Sequence, residues 1–261
     1  MSEVFTFAAG STPLLISVPH DGRQLPDEQR SRMTAAGVNI PDTDWHVAKL
    51  YEFAANIGAS VLVANYSRYV VDLNRSADDE VLYPGQLVTG LCPEQTFAGD
   101  PIYIEGGVNE VERESRVQRY WRPYHDKIGE TLAELRQQHG FAVLWDAHSI
   151  PSVVPGLFDG ELPALSLGSN DGKSCSNRAQ DAVAAIAAES DYSSVVNGRF
   201  KGGFITRHYG VPETGTHALQ LELAQRCYMD ETTLAFDQNK ARKLRDTLQA
   251  MLLTYVETAK P

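Results

Sequence analysis

Two histidines and one aspartate stand at places in the sequence where their side chains could meet and bind a metal ion. His20 closely follows the apolar run 14–18, and His148 closely follows the apolar run 141–145. Asp44 lies where a helix is predicted to begin. Two neutral imidazoles and one carboxylate form a ligand set of catalytic zinc sites, which leave one position open for water. The histidines could instead be ordinary core or surface residues, and spacing alone leaves both interpretations open.

Two neighbours of His148 bear on its role. Asp146 lies two residues earlier, on the same face of an extended strand, and could accept a hydrogen bond from the imidazole of a metal ligand. An ion pair with an arginine is the alternative for this aspartate. Ser149 suggests a serine hydrolase, but strand alternation directs its side chain to the opposite face. The sequence also contains no Gly-x-Ser-x-Gly motif.

Glu222 is a carboxylate flanked on both sides by apolar residues. Because burying a charged group without a partner is costly, this acid should face either the core or a cleft. Beside a metal-activated water it could act as the general base and then as the general acid towards a leaving amine. A solvated position on an edge strand is the alternative.

Cationic side chains gather near the ends of predicted elements, where they could bind an anionic substrate. Arginine binds carboxylates in a bidentate manner, which favours it for this purpose. For each cation taken singly, a solvated loop position is the alternative. The candidate substrate-binding residues are Arg68, Asn74, Arg75, Lys201 and Arg207.

The composition is that of an acidic globular protein. The chain has 261 residues, 43% of them hydrophobic, and a net charge of −11. This charge argues against binding to nucleic acids or to anionic membranes, and an anionic substrate would need a local cationic pocket. We find no signal peptide and no apolar run long enough to span a membrane. The three widely spaced cysteines are typical of reduced thiols in the cytoplasm.

Apolar runs alternate with helical patterns, which predicts an α/β protein. We expect one domain over residues 1–261, with the aperiodic segment 76–109 forming an active-site loop. The predicted strands are 14–18, 60–65, 69–73, 141–145, 164–167 and 218–223. The predicted helices are 41–58, 110–139 with a break at Pro123, 177–188 and 239–257.

Several motifs together resemble the N-formylglutamate amidohydrolases (deformylases) of histidine degradation. The resemblance extends through nearly the whole chain, and its specificity comes from the combination of motifs. The motifs are Ser17-Val-Pro-His20-Asp-Gly, Thr43-Asp-Trp-His46, Ser67-Arg-Tyr-Val-Val-Asp-Leu-Asn-Arg75, Asp146-Ala-His-Ser149, Phe200-Lys-Gly-Gly203 and Leu219-Gln-Leu-Glu222.

The resemblance implies a three-layer α/β sandwich around a mixed central sheet, which is phosphorylase/hydrolase-like and similar to zinc carboxypeptidases, aspartoacylases and peptidoglycan amidases. It implies that His20 and His148 are metal ligands, that Asn74 and Arg75 bind the substrate carboxylate, and that Glu222 is the general base.

The third metal ligand is less firmly implied. The carboxypeptidases place a glutamate three residues after the first histidine, where this chain has Arg23. The amidases instead draw an acidic ligand from the start of the following helix, and Asp44 fits that position. Three other residues remain open as rivals for this role: Asp21, Asp42 and His46.

We therefore expect hydrolysis of N-formyl-L-glutamate to formate and L-glutamate, with one divalent metal per chain, Zn²⁺ being the expected ion. The expected partner is a small anionic amino-acid derivative, and the oligomeric state is not predicted. One alternative is a metal-dependent amidohydrolase that acts on another N-acyl amino acid or a short peptide. A non-catalytic protein that binds a metal or an anion is the other.

Overall fold

A computed structural model of the chain describes residues 3–79 and 89–261. In this part of the chain, seven strands form one mixed sheet with the order β1-β3-β2-β4-β7-β5-β6. The four central strands, β3, β2, β4 and β7, run parallel to one another. Strand β1 is antiparallel to β3, and β5 is antiparallel to β7. The strands are β1 (Phe5–Ala8), β2 (Leu14–Val18), β3 (Ser60–Ala64), β4 (Ala142–Ile150), β5 (Leu165–Gly168), β6 (Ser194–Val196) and β7 (Thr216–Ala224).

Three long helices carry most of the helical packing, and five shorter ones lie in the connections. None of the described helices is long and apolar enough to cross a membrane. The helices are α1 (Asp27–Arg30), α2 (Ala35–Val38), α3 (Val47–Leu50), α4 (Glu110–Arg116), α5 (Arg122–His139), α6 (Asn177–Glu189), α7 (Phe204–Tyr209) and α8 (Gln238–Ala259).

The sheet lies between two apolar layers, so the molecule is the three-layer sandwich that the family resemblance implies. On one face, α3, α6 and α8 pack against strand residues such as Trp145, whose indole N–H donates to the Tyr51 hydroxyl at 2.8 Å. On the other face, Leu144 and Ala218 of the sheet pack against Leu132 of α5. Burial of these side chains stabilises both layers by roughly 1.5–3 kcal/mol for each large residue.

The second of these faces changes from apolar to polar towards the carboxyl ends of β4 and β7. Successive side chains on one face of a strand are two residues apart. Along β4 the face therefore carries Leu144, Asp146 and His148, and along β7 it carries Gln220 and Glu222. His148 lies opposite Glu222 in the register of the two parallel strands. The alternation therefore brings a cluster of polar groups to one edge of the sheet.

The predicted strand 69–73 is wrong, because this segment forms a buried turn. Its backbone groups are satisfied by side chains and by a loop, so they need no strand ladder. The Arg116 guanidinium donates to the carbonyls of Tyr69 and Val70 at 3.4 and 3.0 Å, and the Asp72 carboxylate accepts from the backbone N–H of Asn74 at 2.9 Å. Apolar, β-branched composition predicted burial correctly and conformation incorrectly.

The predicted helix 41–58 begins later than expected, at Val47. His46 has a φ of 65°, a left-handed conformation that a continuous helix cannot include. The carboxylate of Asp21 accepts from the backbone N–H groups of His46 and Ala48 at 3.2 and 2.9 Å, and so caps the first turn from a distant part of the chain. After α3 the chain continues as a 3-10 helix, Tyr51–Ile57, and ends at Gly58.

The helix predicted at 110–139 has no break at Pro123: α4 continues through a π-helical stretch, Val117–Trp121, into α5, which contains Pro123 in its first turn. Proline lacks the N–H that an α-helix needs, and a local wider turn is a common way to accommodate that loss.

The strand predicted at 141–145 extends to Ile150, so His148 lies within β4 and does not follow it. In the predicted loop 76–109, residues 80–88 lie outside the described residues, and 89–109 has no helix or strand.

Candidate metal centre and adjoining cavity

His20, Asp44 and His148 lie together in the structure, and all three are buried. Each offers one ligand atom, and these three atoms lie within 4.8 Å of one another. The Oδ2 atom of Asp44 lies 3.1 Å from Nδ1 of His148 and 3.8 Å from Nδ1 of His20. The two imidazoles therefore present the same ring nitrogen to one carboxylate.

The fold positions these three residues from different segments. His20 follows β2, and His148 lies in the neighbouring parallel strand β4. After β2 the chain continues to β3, towards one edge of the sheet, and after β4 it continues to β5, towards the other edge. Crevices of this kind at the carboxyl ends of strands are usual ligand sites in α/β proteins. Asp44 is held between them, because its backbone N–H donates to the His20 carbonyl at 3.1 Å. Its Oδ2 atom also accepts from the N–H of Ser149 at 3.0 Å.

The other ring nitrogen of each histidine contacts a buried carboxylate. Nε2 of His20 lies 2.8 Å from Oδ1 of Asp72, and Nε2 of His148 lies 3.1 Å from Oδ2 of Asp146. Carboxylates in these positions fix the tautomer and orientation of metal-binding histidines. The side-chain amide of Asn74 lies 3.0 Å from the same nitrogen of His148, so Nε2 has a partner in either tautomer.

The charges of this cluster shift the pKa values of its members. Burial lowers the pKa of His148, but the carboxylates of Asp146 and Asp44 outweigh it and raise that pKa well above its usual value. Burial and the nearby Arg68 lower the pKa of His20. Burial raises the pKa of Asp44, but its hydrogen bond with His148 and the surrounding cations lower it overall. A divalent cation would compete with the proton for His148.

Arg68 is a buried cation that balances these carboxylates. Its Nη2 donates to Oδ2 of Asp72 at 2.6 Å, and its Nη1 lies 3.9 Å from Oδ1 of Asp44. Burial raises the pKa of Asp72, but Arg68 and His20 hold it well below its usual range. The guanidinium also lies over the ring of Phe97 at 5.0 Å. The sequence predicted Arg68 as a substrate-binding group, and the structure gives it ion-pair partners beside the candidate metal ligands.

Glu222 lies beside this group on β7 and also lines the adjoining cavity. Its side chain is 7% exposed, and among the described residues no hydrogen bond to it is present. Burial raises its pKa to about 8, against the opposing influence of His148 and Arg68. A carboxyl that titrates near neutral pH at the wall of a cavity is suited to accept and donate a proton.

The cavity opens beside the His20–Asp44–His148 group, and the space in it that no atom fills, including the part open to solvent, is about 660 Å³. The three candidate metal ligands, other polar groups and several apolar side chains line it. The lining residues are His20, Asp44, Arg68, Asn74, Arg75, Thr89, Phe97, His148, Ser149, Ile150, Leu157, Arg199, Phe200, Gly203, Gln220 and Glu222.

Asn74 and Arg75 reach this cavity on a turn whose backbone is held by an aromatic cluster. The indole N–H of Trp121, in the π-helical stretch, donates to the Arg75 carbonyl at 2.9 Å. Nε2 of His125 lies 2.9 Å from the Leu73 carbonyl, and burial lowers the pKa of His125 to about 3, so the neutral ring donates there. The rings of Trp121 and His125 stack with centroids 3.7 Å apart.

Two of the predicted substrate-binding cations lie elsewhere. Lys201 forms an ion pair with Asp171 at 3.1 Å on the surface. Arg207 lies in α7 and donates from Nε to the Gly202 carbonyl at 2.8 Å. Neither lines the cavity, whereas Arg199, two residues before Lys201, does. The segment 197–209, which contains the motif Phe200-Lys-Gly-Gly203, therefore supplies a cation, but from a position that the motif did not indicate.

The three rivals of Asp44 have other partners. Asp21 caps α3, as described above. Asp42 accepts from the Tyr69 hydroxyl at 2.6 Å and from the Phe97 N–H at 2.9 Å. His46 contacts the Leu234 carbonyl through Nε2 at 2.9 Å. Asp44 is therefore the member of this set that lies with His20 and His148.

The donor set fits a single divalent ion of the zinc type. Two imidazoles and one carboxylate are the ligands that such ions prefer, and they leave coordination positions open. The carboxylates behind each histidine provide the outer contacts that metal-binding histidines usually have.

Comparison with known proteins gives consistent matches over most of the chain. Residues 12–229 match the model of the N-formylglutamate amidohydrolase family. The chain is 47% identical over 259 residues to the N-formylglutamate deformylase of Pseudomonas putida, with 97% of each chain covered. It is 48% identical over 255 residues to the N-formylglutamate deformylase of Pseudomonas aeruginosa, covering 97% of this chain and 96% of that one. The crystal structure of an N-formylglutamate amidohydrolase from Ralstonia eutropha superposes with a TM-score of 0.84 at 26% identity, covering 97% and 98% of the two chains.

Proposed function

Because the chain belongs to the N-formylglutamate amidohydrolase family, we propose that it hydrolyses N-formyl-L-glutamate to formate and L-glutamate with the aid of one divalent metal ion. The observation that carries this proposal is the position of Glu222 on the same cavity wall as the buried His20–Asp44–His148 group. A potential metal site and a carboxyl with a pKa near 8 are the two groups that metal-dependent amide hydrolysis requires.

We propose His20, Asp44 and His148 as the ligands and zinc as the ion. When bound there, the ion would act as a Lewis acid that lowers the pKa of a water molecule and polarises the formyl oxygen. Asp72 and Asp146 orient the two imidazoles, and their negative charges make the ring nitrogens that face Asp44 better donors to a cation.

Glu222 would carry the proton through the reaction. In its ionised form it takes a proton from the water that attacks the formyl carbon. It then gives that proton to the glutamate nitrogen as the C–N bond breaks, which returns the carboxylate to its starting state. The buried position of Glu222 favours this cycle, because a raised pKa brings the carboxyl close to the working pH.

The cations of the cavity would bind and orient the substrate. The charge of Arg68 would favour the negative charge that develops on the formyl oxygen. The α-carboxylate of the substrate is one carbon away from the reacting nitrogen, so its partners must lie close to the metal ligands. Asn74 contacts His148, and Arg75 follows it, which supports these two residues as the partners of that carboxylate.

We further propose that residues 1–261 act as one domain in which the segment 76–109 borders the active site. Thr89 and Phe97, both from the described part of this segment, line the cavity and support that role. A reducing compartment such as the cytoplasm suits the three cysteines, which form no disulfide.

The test is a comparison of substrates with purified, metal-loaded protein. The panel contains N-formyl-L-glutamate, N-formyl-L-glutamine, N-acetyl-L-glutamate and a γ-glutamyl dipeptide, and formate or free amino acid is measured. We expect formate and glutamate in equal amounts from the first compound, with the highest kcat/KM of the panel. A higher kcat/KM for the acetyl compound or the dipeptide would favour the broader N-acyl amidohydrolase instead.

A further inference from the structure

Three arginines line the cavity among the described residues, and they differ in what surrounds them. Arg68 is buried and pairs with Asp72 and Asp44, beside the proposed metal ligands. Arg75 belongs to the turn beside His148. Arg199 comes from the segment after β6, on the side of the sheet beyond Glu222 and β5. Arg75 and Arg199 therefore reach the cavity from separate segments of the chain.

Arg199 is seated on a small apolar cluster. Its Nε donates to the Leu157 carbonyl at 2.8 Å, and its guanidinium carbon lies 5.5 Å from the centroid of the Phe200 ring. Leu157 and Phe200 pack with Ile150, and all three side chains line the cavity. The cavity thus has an apolar wall that carries a cation.

This arrangement matches the chemistry of an amino acid with an acidic side chain. In N-formyl-glutamate the side-chain carboxylate is separated from the α-carbon by two methylene groups. Methylene groups favour an apolar wall, and a carboxylate favours the planar fork of an arginine. If Asn74 and Arg75 bind the α-carboxylate near the metal ligands, the side-chain carboxylate requires a second cation farther away.

We propose that Arg199 binds the side-chain carboxylate of the substrate and so determines the preference for an acidic amino acid. This inference rests on the proposed function. It replaces Lys201 and Arg207, which the sequence pattern favoured, by a residue that lines the cavity. Ile150, Leu157 and Phe200 contact the methylene groups between the two carboxylates.

The experiment compares kcat/KM for N-formyl-L-glutamate and N-formyl-L-glutamine in wild type, Arg199→Gln and Arg199→Lys. We expect Arg199→Gln to lower the value for the glutamate compound roughly 10²-fold or more, mainly through KM, and to change the glutamine value little. Arg199→Lys keeps the charge but not the fork, so it should recover only part of the loss.

Arg226→Gln is the matched control. Arg226 donates to the Leu162 carbonyl of the same apolar cluster at 3.0 Å and pairs with Glu161, but it does not line the cavity. It should retain the wild-type preference. Binding of L-glutamate and L-glutamine, measured by calorimetry, gives a second readout that needs no turnover, and Arg199→Gln should lose affinity for glutamate selectively.

The outcomes separate this inference from the proposed function. A wild type that prefers N-formyl-glutamate, together with an Arg199→Gln variant that keeps that preference or loses both substrates equally, overturns the role of Arg199 alone. A wild type that hydrolyses neither formyl compound overturns the proposed function and this inference with it.

Discussion

At the scale of single residues, Glu222 is the carboxyl whose burial changes its pKa in the direction that the proposed reaction needs. It is 7% exposed, it lies opposite His148 in the sheet, and burial raises its pKa to about 8. These properties make it the proposed proton carrier. They also mean that the residue should leave a signature both in catalysis and in the stability of the metal-free protein.

Glu222→Gln should lower kcat roughly 10²–10⁴-fold, because glutamine keeps the shape of the side chain but cannot accept the proton of the attacking water. Metal content should stay at the wild-type level, since Glu222 is not among the proposed ligands. Formate release and metal analysis on the same preparation check both statements. The exposed Glu134 of α5 offers a matched control, and Glu134→Gln should behave as wild type. A near-normal kcat in Glu222→Gln would assign the proton transfer to another acid.

The same substitution should change how stability depends on pH in the metal-free protein. Below about pH 4.5 the carboxyl of Glu222 is protonated in both the folded and the unfolded chain. As the pH rises towards 8, the unfolded chain releases this proton first, so the stability of the folded wild type decreases. Glu222→Gln should therefore be the more stable protein at pH 8 and above, by a few kcal/mol, since each pKa unit corresponds to about 1.4 kcal/mol.

Urea unfolding in the presence of a chelator, measured between pH 4.5 and 8.5, tests this dependence. The curves for wild type and Glu222→Gln should converge at the acidic end and separate at the alkaline end. A constant difference across this range would show that Glu222 does not titrate as its burial requires.

Asp146 provides another residue-level test, because it contacts the proposed metal ligands only through His148. Asp146→Asn removes the negative charge behind the imidazole and should weaken metal binding about 10–100-fold. Competition with a chromogenic chelator measures the affinity. Asp21→Asn is the control, since Asp21 caps α3 and should not affect the metal. Equal affinities in wild type and Asp146→Asn would remove Asp146 from the site.

At the scale of elements, the buried apolar strands were predictable from the sequence, whereas the short edge strands β1 and β6 and the turns were not. The pattern of β4 and β7 indicates buried strands, and the two-residue spacing of Asp146 and His148 correctly placed them on one face. The segment 69–73 has the composition of a strand, yet it folds as a turn because Arg116 satisfies its carbonyls. No local rule reports that contact, since Arg116 is more than forty residues away in sequence.

The π-helical stretch gives a prediction at this scale. It directs the Trp121 indole N–H to the Arg75 carbonyl, so Trp121→Phe should loosen the turn that presents Arg75 to the substrate. We expect KM for N-formyl-glutamate to rise several-fold while metal content is unchanged. Tyr120→Phe, in the same stretch but packed on Tyr66, should leave KM near wild type. Equal effects of the two substitutions would indicate a general loss of helix stability.

At the scale of the whole molecule, an acidic protein with a net charge of −11 gathers three arginines around one cavity. The apolar runs predicted the α/β fold, and the motifs around His20, Asp44 and His148 predicted that these three residues lie together, because these patterns are local. It did not predict Arg199 at the cavity, because that placement depends on how the segment after β6 packs on the β4–β5 connection. Long-range packing of this kind decides which of several similar cations faces the site.

We propose above all that deformylation depends on a metal ion held by the buried His20–Asp44–His148 group. The measurement that tests it most directly is metal content together with formate release for wild type, His20→Ala and His148→Ala. We predict about one divalent ion per chain in wild type, activity that a chelator removes and zinc restores, and folded variants that lose most of the metal and the activity. Full metal occupancy in both variants, or undiminished formate release from metal-free wild type, would contradict the account.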